Sequence, residues 1–134
     1  MSLFQALHTA TSGASVARVW IDAIADNVAN MNTTRDPGEE PFRARQVVAE
    51  SVTDRGGVGR GVRVQRIADK PGDPIIVFDP TNPQADEFGI VRRAQVDLGE
   101  EMTNLLLANR VYGMNITVIQ TAVDSYRAAL RIGA

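Results

Sequence analysis

The 134-residue sequence predicts an α+β chain, with a long amphipathic helix at each end and a β-rich middle. Two observations carry this reading. Apolar residues recur at helical spacing over both ends, and charge and proline crowd between them. Residues 1–32 hold three charged side chains (Arg18, Asp22, Asp26) and residues 98–134 hold six. The other 21 of the 30, with all six prolines, fall in residues 33–97. The chain accordingly divides into a coiled-coil helix over 1–32, a β-rich middle over 33–97 and a second coiled-coil helix over 98–134.

The N-terminal helix follows from Leu3, Leu7, Ala10, Ala14, Ala17, Ile21, Ile24, Val28 and Met31, spaced alternately by four and three. That is the a/d seam of a coiled coil. Ser2 and Gln5 have capping-box spacing at its start, and the alanines let a partner helix come close. The seam stops at Met31, where Asn30, Asn32 and Thr33 favour a helix end and Pro37 opposes continuation. Asn27 and Asn30 lie off the seam, upstream of that stop, and are expected to bond neighbouring subunits through their amides.

The middle segment reads as extended. Phe42–Val52 and Gly61–Ile67 are short runs rich in β-branched residues, and Ile75–Phe78 is an apolar strand between two Asp-Pro brackets. The run Arg55–Gly61 is glycine-rich and reads as a mobile hairpin or loop. It lacks the Lys-Ser/Thr of a phosphate loop. Arg55, Arg60, Arg63 and Arg66 form a local basic patch without an intervening acid. A solvated strand face, or a contact to an acidic neighbour, suits them better than nucleic acid, for want of interleaved aromatics.

The C-terminal helix keeps the same spacing through Leu98, Met102, Leu105, Asn109, Tyr112, Ile116, Ile119, Val123, Tyr126 and Leu130. Asp97 and Glu100 stand at N-cap and N3 positions, and Gly133 suits the position past the last turn. Asn109 is the one polar residue on this seam, where asparagine fixes register. Leu107, Val111, Met114 and Val118 make a second apolar stripe on the opposite face. A helix apolar on two faces is buried on two faces. One partner cannot cover both, so unless the middle folds over it, other copies of the chain must. The plainer alternative is two amphipathic helices packed on one ordinary core.

Composition narrows the function. Net charge is −2, so no basic field attracts nucleic acid or an anionic membrane surface. Cysteine is absent and His8 is the only histidine, which leaves thiol chemistry, histidine metal sites and a Ser-His-Asp triad without material. The acidic pairs Glu39-Glu40, Asp86-Glu87 and Glu100-Glu101 are adjacent, so their carboxylates point to different faces. Of the two glycosylation sequons, the one at Asn115 lies inside the helical seam. No apolar run is long enough to span a bilayer, and the first residues lack the pattern of a secretory signal. No enzyme, cofactor, metal or small-molecule substrate is expected.

The stretch Ile21–Thr33 ("IDAIADNVANMNT") resembles the asparagine-rich motif of bacterial flagellar axial proteins, where an amphipathic helix ends in N-x-A-N-x-x-T. Residues 79–122 resemble the short proximal-rod members of that family. The matching positions are Asp79, Pro80, Pro83, Ala85, Asp86, Gly89, Val91, Val96, Asp97, Glu101, Met102, Arg110, Tyr112 and Asn115. Ala94-Gln95 departs from the family's Pro-Asn, and Val123 from its lysine.

The resemblance implies an antiparallel coiled coil of the two terminal helices, packed with neighbouring copies in the inner layer of a tube. It implies a structural subunit of the flagellar rod that transmits torque for motility, exported by the type III route to the periplasm without a cleaved signal. Implied partners are other copies, other rod subunits, and basal-body ring and export-gate components, with no nucleic acid and no membrane insertion. The expected assembly interface comprises Leu7, Ile21, Ile24, Asn27, Val28, Asn30, Asn32, Arg110, Tyr112, Asn115, Ile116, Ile119, Val123 and Leu130. The alternative of another class is a helical hairpin that captures a partner helix in a small soluble complex.

Overall fold

A computed structural model describes residues 2–133. Helix α1 runs Leu3–Asn30 and α2 runs Leu98–Ile132. Between them lie β1 (Arg45–Thr53), β2 (Gly59–Asp69), β3 (Ile75–Phe78) and β4 (Ile90–Arg93). The strands form two antiparallel pairs, β1–β2 and β3–β4. Strand β4 was not expected from the sequence, because two of its four residues are arginines and its apolar signal is short.

Both helices start as their cap chemistry dictates. The Ser2 hydroxyl accepts from the Gln5 N–H at 3.2 Å, and the Asp97 carboxylate accepts from the Glu100 N–H at 3.1 Å. Neither cap closes into a reciprocal box. The Gln5 amide instead donates to the Gly59 carbonyl, and Glu100 pairs with Lys70.

Two turns in the middle share one design. The Asp54 carboxylate accepts from the N–H groups of Gly56 and Val58 at 2.9 and 3.0 Å. Asp86 does the same for Phe88 and Ile90 at 2.9 and 2.8 Å. Three residues after each aspartate comes a glycine with positive φ, Gly57 at 76° and Gly89 at 73°. A three-residue hairpin loop closed by a left-handed glycine has this form. The glycine-rich run, expected as a hairpin or loop, forms the tip of the β1–β2 hairpin. The four arginines beside it lie on an exposed face, the first of the two arrangements expected of them, and there Arg60 pairs with Asp54 and Arg63 with Glu50, both acids of the same hairpin.

The helices are antiparallel. Phe4 meets Tyr126 edge-to-face with ring centroids 6.0 Å apart, Gly13 faces Asn115, and Asn27 bonds Glu101. Beyond Tyr126, α2 overhangs the start of α1. The β1–β2 hairpin lies along α1; of the outward stripe of α2, Val111 is half-buried, while Leu107, Met114 and Val118 stay exposed.

Candidate interaction surface

Helix α1 buries two adjacent faces, which explains why it carries so few charges. One face meets α2 through Ala10, Ala14, Ala17 and Ile24, all buried. The other holds the hairpin along its length. Near the hairpin tip, the Gln5 amide donates to the Gly59 carbonyl at 3.2 Å, and His8 Nδ1 lies 3.1 Å from the Arg60 carbonyl. The Ser12 hydroxyl accepts from the Val62 N–H at 3.1 Å. Gly61, with φ 118°, sits so close to Ser12 that a side chain there would collide with its hydroxyl. At the hairpin base stands Asn27. Between these ends, Val16, Trp20, Val47, Ala49, Val62 and Val111 line an open apolar groove of about 470 Å³.

The α2 seam is not centred where apolar spacing put it. Its deepest residues are Glu101, Ala108 and Ala122, with Asn115 at the same seven-residue interval. Met102 is 40% exposed and Asn109 is exposed, so Asn109 is not the polar seam residue; Asn115 takes that place. The cause is close approach. A Cβ on Gly13 would stand 2.6 Å from Asn115 Oδ1, so only small or flat groups fit at the centre, and Ile116 and Val123 pack half-buried at its flank.

The residues expected at the assembly interface separate accordingly. Ile24 is sealed by its own chain, and Leu7, Ile21, Val28, Tyr112, Ile116, Ile119 and Val123 are half-buried. Leu7 and Val123 share a small apolar cavity with Phe4, Ala122 and Tyr126. Asn27 is a correction: it is 1% exposed and its amide is engaged within the chain, not offered to a neighbour. Asn30 donates back to the Asp26 carbonyl and accepts from the Thr33 hydroxyl, helix-end chemistry. Asn115 likewise donates to the Val111 carbonyl. Asn32 accepts from Arg93 but is exposed, as is Arg110. Leu130 lies on the overhang, 57% exposed.

What remains open is apolar and one-sided. On α2, Leu106, Leu107, Met114 and Val118 are exposed by 74, 50, 63 and 46%. This apolar stripe lies on a helix already paired through its opposite face, and it is left exposed by its own chain. Among the described residues no group of three or more metal-ligating side chains converges, and no helix is long and apolar enough to cross a membrane.

Two family models match the chain. Residues 7–35 match "Flagella basal body rod protein", and residues 89–132 match "Flagellar basal body rod FlgEFG protein C-terminal". Among curated proteins, the flagellar basal-body rod protein FlgC of Yersinia enterocolitica is 36% identical over 133 residues, covering 99% of each chain. That of Borreliella burgdorferi is 33% identical, covering 98% of each, and that of Bacillus subtilis 32%, covering 99% of each. The two matched segments meet in space at Asn27–Glu101 and Gly13–Asn115.

Proposed function

We propose, for a chain that belongs to the FlgC family of flagellar basal-body rod proteins and is a structural rod subunit of the flagellum, that it polymerises through its terminal helices. The observation that carries this is the exposed stripe Leu107–Met114–Val118, on a helix whose other face is already occupied by α1. Each such side chain contributes roughly 1.5–3 kcal/mol when fully buried. A stripe on one copy that meets a different surface on the next makes a contact that repeats without closing, as a rod requires.

In this reading the chain is a load-bearing part of a drive shaft that carries torque outward, and not a catalyst. Its partners are further copies of itself, other rod subunits, and the ring and export-gate components around the rod. It belongs to the basal body. Its place in the periplasmic rod, and its delivery there by the flagellar type III route, extend the proposal on the strength of family membership.

The test is the pair Leu107→Asp and Met114→Asp in one chain. Both side chains are exposed in the isolated subunit, so the circular dichroism spectrum and melting temperature should stay close to wild type. Basal bodies purified from cells carrying this variant should lack the chain, and the cells should not swim. Incorporation at the wild-type level would refute polymerisation through this face. A small complex of fixed stoichiometry, in place of a filament, would instead support the helix-capturing module.

A further inference from the structure

We infer that Asn27 is a positioning residue that joins the pairing of the two terminal helices to the docking of the β1–β2 hairpin. The inference rests on geometry inside one subunit and does not depend on how subunits assemble.

Asn27 is the largest side chain fully sealed from solvent among the described residues. Its Nδ2 donates to the Arg45 carbonyl at 2.9 Å, and its Oδ1 accepts from the Arg45 N–H at 2.7 Å. Arg45 is the first residue of β1. The amide therefore pairs with the free main-chain edge of Arg45 as a neighbouring strand would, donor to acceptor on both sides. A primary amide has a second N–H, and Nδ2 also reaches Glu101 Oε1, on α2, at 3.3 Å. One planar group thus contacts α1, β1 and α2.

The chemistry is selective. An aspartate at position 27 would still accept from Arg45 but would lose both donors and set a carboxylate against Glu101. An alanine would leave the N–H and C=O of Arg45 unpartnered, which buried backbone groups rarely are. The hairpin tip has its own attachments to Gln5, His8 and Ser12, so losing Asn27 should free the base without detaching the tip. The clasp fixes the angle at which the hairpin leaves the helical pair, and so the outer face that a subunit presents.

Hydrogen exchange on the full chain tests this. Asn27→Asp should speed exchange by tenfold or more both in β1–β2 near Arg45 and in the first turns of α2. In the double variant Asn27→Asp with Glu101→Gln, the new amide can donate to the new carboxylate. Protection should then return in α2 while the hairpin base stays open. Should Asn27→Asp fail to fold, Arg45→Pro removes the N–H that Asn27 accepts, together with the side chain that pairs with Asp26, at a strand start where proline is tolerated. It should loosen the hairpin and spare α2, with Arg45→Ala as the control for the lost side chain. Uniform acceleration over the whole chain, equal recovery of both regions in the double variant, or unchanged exchange with Arg45→Pro would each overturn the coupling.

Discussion

Gly13 and Asn115 set how closely the two helices approach: a methyl group on Gly13 would lie 2.6 Å from the Asn115 amide oxygen. Two effects compete when that methyl group is added. Alanine is about 1 kcal/mol better than glycine inside a helix, but it forces the Asn115 side chain out of its 2.8 Å bond to the Val111 carbonyl. We expect Gly13→Ala alone to stay near wild-type stability. In an Asn115→Ala background, where the obstruction is gone, the same change should stabilise by about 1 kcal/mol. Urea unfolding of the four proteins reads the difference. Equal effects in both backgrounds would mean that the two residues do not touch.

The centre of the α2 seam gives a second prediction. Ala108 is 0% exposed, while Asn109, next to it, is exposed. Ala108→Leu should overpack the contact at a cost of about 1–3 kcal/mol. Asn109→Leu, which places the same leucine side chain on the outer side, should change stability by no more than about 0.5 kcal/mol. Unfolding midpoints in the reverse order would restore the seam that apolar spacing alone suggests.

That comparison shows what the sequence disclosed and what it withheld. Heptad spacing located both helices and their caps, because period and cap chemistry are local. It could not say which of two neighbouring columns of α2 lies innermost. Hydropathy favours Met102 and Ile116, whereas close approach at Gly13 selects Ala108 and Asn115. The role of Asn27 was hidden for another reason. Its partners are the main chain of Arg45 and a carboxylate 74 positions away, and main-chain groups leave no mark in a sequence. Glu101, dismissed with Glu100 as a poor acid/base pair, is the member that turns inward. The Asp86–Gly89 turn was in plain view as a motif, and it matches Asp54–Gly57. Yet the turn alone would not have revealed β4, whose partner β3 ends at Phe78, well before Asp86.

The hairpin turn at Asp54 predicts a dependence on pH. The N–H of Val58, then the Arg60 guanidinium, with Gly56 adding less, hold the Asp54 carboxyl below the usual carboxylate range. A lowered folded pKa means that the ionised group favours the folded turn. That contribution is complete above the unfolded value, about 4, and is lost as pH falls through the lower folded one. The amide resonances of Gly56 and Val58 should therefore hold still from pH 7 to about 5 and move only below about 4. Asp54→Asn keeps an oxygen acceptor and removes the titration, so this acidic step should vanish. A step that persists in the variant would assign it to another group.

The last turns of α2 should matter to the assembly and not to the subunit. Past Tyr126 the helix has outrun α1, and its apolar residues there are open, Leu130 at 57% and Ile132 at 88% exposure. Side chains that bury nothing in the isolated chain contribute little to its stability. Removing residues 128–134 keeps the Phe4–Tyr126 contact and should leave the melting temperature within a few degrees of wild type. If the overhang completes a seam with a neighbouring copy, the shortened chain should be outcompeted by full-length protein when both are expressed together. Its share in purified basal bodies, measured by mass spectrometry, should then fall well below its share in the cell. Equal shares would assign the overhang no part in assembly, and a large drop in melting temperature would mean that it packs on its own chain after all.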